Sequence, residues 1–176
     1  VLDYGAVADG VTPDTDAFNA AIAAIETAGK GRLYIPAGTY FIDDSLSVNG
    51  NIIVQGDGID ASILLFDDAV VEAFKVGETE IVTGGLFDFT VKKTTFSSAT
   101  ENAGFVFYNA AECLFQNIES RSYKYNYYTK PDTGQRVAYN TFINVTAYGG
   151  YYNIYIQASG TGFTNENSFY GGRLFT

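Results

Sequence analysis

Hydrophobic and polar positions change period once along this chain. Phe18, Ala21, Ile22 and Ile25 follow at i, i+3, i+4 and i+7, the spacing that gathers apolar side chains on one helix face. Thr12 and Pro13 stand where an N-cap and a first helical residue are expected. Asp14 and Asp16 lie where the positive helix end favours carboxylates, and Gly29 closes the run. From GKG onward the pattern becomes short apolar runs, RLYI, YFI, LSV, NIIVQ and SILLF, separated by clusters such as PAGT and GDGID. These predict many short strands with tight bends and no second helix of useful length.

A repeat decides among the all-β architectures. Aligning LFDF, LFQN, TFIN and SFYG places Phe87, Phe115, Phe142 and Phe169 in one column, at steps of 28, 27 and 27 residues. In the same register Tyr125 recurs as Tyr152, Tyr128 as Tyr155 and Asn117 as Asn144. A period of this size made of strands and bends fits one coil of a β-solenoid. Parallel coils stack ~4.8 Å apart, so each column becomes a ladder, with aromatics inside and asparagines at the bends. End coils present bare strand edges, so residues 1–31 are expected to form a cap and helix, and residues 32–176 the coils of one domain. GGRLFT stops in mid-coil, which predicts that the chain is part of a longer solenoid.

The segments DYGAVADGVTPDTDAFNAAIAAI, GRLYIPAGTYFI and NIIVQGDG resemble the N-terminal signature of the pectate-lyase-like right-handed parallel β-helix superfamily. That superfamily includes bacteriophage tailspikes and capsule depolymerases, and secreted polysaccharide lyases and glycoside hydrolases. The resemblance covers about residues 1–66 and departs at Pro13, where the family usually has Asp before the Asp-Thr pair. The expected fold is therefore all-β, a right-handed parallel β-helix with a short N-terminal capping α-helix. The resemblance implies a polysaccharide partner, a homotrimer and a virion-tail or extracellular location, as in a tailspike or depolymerase. A secreted monomeric lyase or glycoside hydrolase and a non-catalytic shaft are the alternatives. The signature itself carries no catalytic residue.

Charge and composition narrow the partners. Twenty acidic residues against ten basic, with no basic run, argue against nucleic acid, and no apolar run approaches the ~20 residues of a membrane span, so no membrane insertion is expected. Without histidine there is no Ser-His triad, imidazole base or imidazole ligand. Cys113 has no disulfide partner within the chain and reads as a small buried hydrophobe. No metal or other cofactor is expected. Asp43 with Asp44 and Asp67 with Asp68 are adjacent and point apart on a strand, and GDGIDA precedes a strand rather than a helix.

Candidate chemistry follows from the repeat. With the phenylalanine column inward, alternation sends Gly84, Glu112, Tyr139 and Glu166 outward. Glu112 and Glu166 then stand two coils apart, about 9.6 Å, near the carboxyl spacing of an inverting glycosidase, about 6.5 to 9.5 Å. They are the predicted catalytic acid and base, with Tyr139 between them to orient a sugar; the competing reading is two solvated surface carboxylates. Asp88, one residue past Phe87, is expected to line the same groove. Of the paired tyrosine columns, one is expected in the core and the other, with Tyr128 and Tyr155, as a sugar platform. Arg121 and Lys124 beside Tyr123 and Tyr125 supply the ingredients of a lyase. Leu86 and Leu114 fall outward in this register, which suggests a covered face.

Overall fold

The computed structural model describes residues 1–96 and 101–175, so the predicted coil region is described up to Phe175. These form a parallel β-solenoid of about 6 turns with one helix. Three faces wind around the core. The first stacks Lys30–Ile35, Asn51–Gly56, the start of Gly85–Lys93, the start of Leu114–Arg121, Thr141–Ile143 and Ser168–Tyr170. The second stacks Asp9–Pro13, Gly38–Ile42, Ser62–Phe66, the ends of those same two long strands, Thr146–Tyr148 and Arg173–Leu174. The third stacks Leu46–Val48, Glu72–Val76, Ala103–Phe107, Tyr125–Thr129 and Tyr152–Ile156. A short fourth ladder joins Ala110–Ala111, Arg136–Ala138 and Phe163–Asn165. All of these pairings are parallel. No helix of the described residues is long and apolar enough to cross a membrane.

The helix spans Thr15–Thr27, two residues later than Pro13 would start it. Thr12 and Pro13 belong instead to Asp9–Pro13, which pairs with Gly38–Ile42. Asp14 extends that pairing through its amide, which donates to Phe41 O at 2.8 Å. Its carboxylate accepts from the amides of Val7 and Ala8 at 2.6 and 3.2 Å, so it ties the entering loop rather than the helix end. The predicted face of Phe18, Ala21 and Ile22 is buried in the common core, with Phe18 edge-on to Tyr40 at 5.3 Å. Gly29, at φ 77°, follows the helix as expected.

The interior is an aromatic stack. Phe115 pairs in register with Phe142 and Phe142 with Phe169, with ring centroids 4.8 and 4.5 Å apart. On the opposite wall Phe105 lies between Phe74 and Tyr127, at 5.8 and 5.4 Å. The column differs from the sequence alignment at its first member: Leu86, not Phe87, faces Phe115, and Phe87 faces Gln116. The reason is a shortened corner. Val82 faces Ala110 but Gly85 faces Leu114, so the later coil holds one more residue in between. Gly84 makes the shorter path possible, since a Cβ there would meet Ile52 O at 1.7 Å. Leu86 is consequently buried in the core rather than outward, while Leu114 is half-buried.

Asparagine ladders tie successive coils, as the repeat predicted. Asn144 Nδ2 donates to Asn117 Oδ1 at 2.9 Å, so the sequon asparagine Asn144 is a rung of that ladder. Asn126 and Asn140 donate in the same way to Asn153 and Asn167. Cys113 is buried, its thiol pushed up to about 12 by burial.

The corrected register has a measurable consequence. Leu86→Ala empties a filled core position and is expected to cost about 2–5 kcal/mol, whereas Phe87→Ala, although it removes a larger side chain, is expected to cost less. Urea unfolding of both variants checks this, and a larger loss at Phe87 would restore the sequence alignment.

Candidate functional site

Two places on the outside of the solenoid carry the residues singled out from the sequence, and they differ in backbone and in charge. The first is the corner that precedes the first face. Glu112, Tyr139 and Glu166 are exposed there in one column, each a coil apart: the Glu112 amide donates to Ala138 O and the Tyr139 amide to Asn165 O. All three take left-handed backbone, at φ 59°, 59° and 51°. Outward placement was legible from alternation, but the left-handed turn was not, since Glu and Tyr are uncommon in this region. Gly84, the predicted fourth member, lies at the shortened corner and lacks that turn. Among the described residues neither Glu112 nor Glu166 has a side-chain hydrogen bond or ion pair.

Asp88 does not join that group. It lies at the opposite end of the first face, at a second left-handed corner shared with Asn117, Asn144 and Gly171. Gln55 Nε2 and Asn117 Nδ2 donate to its two carboxylate oxygens at 2.7 and 2.8 Å. It therefore begins the bend ladder instead of lining a groove with Glu112.

The second place is the outer side of the third face. Tyr125 pairs in register with Tyr152 and Tyr128 with Tyr155, and both columns face outward, so neither is core. The pleat is locally broken at Asn126, whose side chain turns in to accept from Ser120 Oγ at 2.9 Å, leaving Tyr125 and Tyr128 on the same side. The four rings form a continuous surface. Tyr125 and Tyr152 stack at 5.3 Å and 7°, and Tyr155 touches Tyr125, Tyr128 and Tyr152 at 4.9, 5.3 and 5.3 Å.

Charged groups that periodicity did not reveal border these rings. Below Tyr125 in its column come Ala103 and then Glu72. The small Ala103 leaves a recess of about 180 Å³ walled by Glu72, Glu101, Tyr125, Tyr128 and Lys130. Glu72 accepts from Lys130 Nζ at 2.8 Å and from the Tyr108 hydroxyl. Glu101 accepts from the Tyr125 hydroxyl at 2.7 Å and from Lys124. Burial would raise the Glu72 carboxyl, but the hydrogen bonds from Lys130 and Tyr108 and the nearby lysine charges hold it below its ordinary value. The Glu101 contact raises the Tyr125 phenol, and burial raises those of Tyr128 and Tyr108. These phenols are therefore protonated at neutral pH and serve as hydrogen-bond donors, while both carboxylates are ionised and paired. The face can stack on a sugar ring and bond its hydroxyls. Two of the lyase ingredients, Lys124 and Tyr125, are here; Arg121 lies on the second face with Glu119 and Asp60, and Tyr123 is in the core. Among the described residues no cluster of three or more metal-ligating side chains occurs.

A model of the family described as "Rhamnogalacturonase A/epimerase, pectate lyase-like" matches residues 1–174. The chain belongs to this family. Among its relatives, mannuronan C5-epimerase AlgE1 of Azotobacter vinelandii is 32% identical over 111 residues, 59% of this chain and 7% of that protein. The pre-neck appendage protein of Bacillus phage B103 is 39% identical over 70 residues, 40% of this chain and 8% of that protein. The chain thus spans under a tenth of the length of either relative. Solved β-helices share the fold: the Agl-KA catalytic domain superposes with a TM-score of 0.72 at 19% identity, covering 96% of this chain and 36% of that one. ORF18 of Geobacillus virus E2 superposes at 0.67 and 17% identity, covering 96% and 40%.

The Glu72 arrangement predicts a pH signature. Because its folded value is depressed, its contribution is fully present above the ordinary glutamate value of 4.5 and lost as pH falls through the folded value. Glu72→Gln is expected to be less stable than the parent at pH 7, with the gap closing on acidification below about 4.5. Thermal melts of both proteins across pH 3–7 test this; a gap that does not vary with pH would mean that the pair contributes nothing.

Proposed function

We propose that this chain is the glycan-gripping part of a polysaccharide-acting β-helix of the tailspike or depolymerase type, carried on a virion or secreted. The four-tyrosine surface of the third face is the observation that carries this reading. Its rings repeat at the coil spacing, pack against one another and carry hydroxyls at their edges, which suits a polysaccharide lying along the solenoid axis. The membership of the family and the activities of its relatives, on mannuronan in one case, support a carbohydrate ligand. The phage relatives support a virion setting, in which a homotrimer is expected; sedimentation of the intact protein as a monomer would favour the secreted form.

For bond cleavage the supported pair remains Glu112 and Glu166, with Tyr139 between them. Their two-coil separation is near the inverting range. Glutamate and tyrosine also hold left-handed positions there that asparagine or glycine would occupy with less strain, as they do at the neighbouring corner. The Glu101 contact raises the Tyr125 phenol and burial raises that of Tyr128, which disfavours these two as bases for elimination.

Binding and cleavage separate experimentally. In titrations against a panel of capsular and cell-wall polysaccharides, Tyr125→Ala with Tyr152→Ala is expected to weaken binding roughly tenfold, as loss of two stacking contacts implies. Glu112→Gln and Glu166→Gln are expected to retain binding and abolish release of reducing ends. Undiminished binding in the tyrosine variant would refute the platform, and undiminished cleavage in both glutamine variants would remove the carboxylate pair.

A further inference from the structure

A further groove lies neither at the glutamate corner nor on the tyrosine face. It runs along the outside of the second face, with a volume of about 690 Å³, within the usual range for a small-ligand site. Two in-register columns build it. One runs Glu119, Thr146, Arg173; the other begins Lys92, Arg121, Tyr148, with Phe175 next and its ring 5.7 Å from that of Tyr148.

The charges in this groove are not balanced as they are on the third face. Lys92 and Arg121 stand directly opposite each other on adjacent strands, an arrangement that is destabilising for like charges unless an anion answers it. Arg121 has its own answer: Asp60 Oδ1 lies 2.7 Å from its Nη2, and the Glu119 carboxylate lies against its Nε. Lys92 and Arg173 have none, since neither makes an ion pair or side-chain hydrogen bond among the described residues. By contrast Lys75, Lys124 and Lys130 on the third face are each paired with a carboxylate. Two uncommitted cations therefore line one groove of a chain whose net charge is −10. Glu119 is 6% exposed and its Oε1, although in contact with Arg121, lacks an aligned hydrogen-bond partner. Burial raises that carboxyl above its ordinary value despite Arg121.

We propose that this groove is a second saccharide subsite, taking a stretch of acidic polysaccharide whose carboxylates meet Lys92 and Arg173 and whose rings lie against Tyr148 and Phe175. The two cations are three coils apart, about 14 Å from the strand spacing, so the ligand is an oligosaccharide lying along the axis rather than one sugar. Beside them Tyr148 and Phe175 supply an apolar surface, and Thr146, Asn144 and Ser122 supply hydroxyl and amide partners. The inference rests on the reading of this chain as polysaccharide-binding, but places the contact for charged units on a different face from the tyrosines.

The probes are a tetrameric oligouronate and its carboxyl-reduced, neutral counterpart, titrated calorimetrically into the intact protein. The parent is expected to prefer the acidic probe. Lys92→Gln with Arg173→Gln, both outside the core, is expected to weaken that probe about tenfold or more, as loss of charge-assisted contacts implies, and to leave the neutral probe and the melting temperature unchanged. Equal binding of both probes by the parent, or an acidic preference that survives in the double variant, overturns the proposal. Tyr125→Ala with Tyr152→Ala, run in parallel, separates the two readings. If it alone loses binding, the platform stands and the groove falls; if the groove variant alone loses binding, the converse holds.

Discussion

Parallel stacking of coils in register is the constraint on which everything else depends. Each residue must tolerate its counterpart about 4.8 Å above and below, so the side chains that succeed are those that attract their own kind. Amides do so by donating to one another, as Asn144 does to Asn117. Aromatic rings do so by stacking, as Phe105 and Tyr127 do inside and Tyr125 and Tyr152 do outside. Like charges do not, and where Lys92 lies against Arg121 the chain supplies Glu119 and Asp60 to the arginine alone.

The same rule divides the outer surface chemically. On the third face lysines and glutamates from different coils neutralise one another around the tyrosines, leaving a surface suited to rings and hydroxyls. On the second face Lys92 and Arg173 have no charged partner among the described residues and lie beside an aromatic pair. At the glutamate corner the carboxylates have no hydrogen-bond or ion-pair partner among the described residues, and the backbone takes left-handed turns. Three kinds of surface thus arise from one winding of the chain, because each face draws its residues from a different segment of the repeat.

Much of the fold was legible from the sequence wherever coils kept a constant length. The steps of 27 residues from Phe115 to Phe142 and Phe169, from Tyr125 to Tyr152 and from Asn117 to Asn144 all mark true neighbours. Legibility failed where lengths changed. The extra residue near Glu112 displaced Phe87 from its column and hid the burial of Leu86. On the third face Glu72 lies beneath Ala103, and Ala103 beneath Tyr125, at steps of 31 and 22 residues, so no fixed period could bring Glu72 to Lys130. The helix start was misplaced because Thr12 and Pro13 satisfy a strand pairing that local capping patterns do not reveal.

The constant step of 27 residues across the later coils also bears on how such a chain changes over time. From Leu114 onward, each strand and corner meets its equivalent one step later. Duplicating or deleting one such unit would restore the same contacts on both sides of the junction. The solenoid can therefore lengthen by whole coils, and with it the surfaces on its outside, without the redesign of a core that other folds would require.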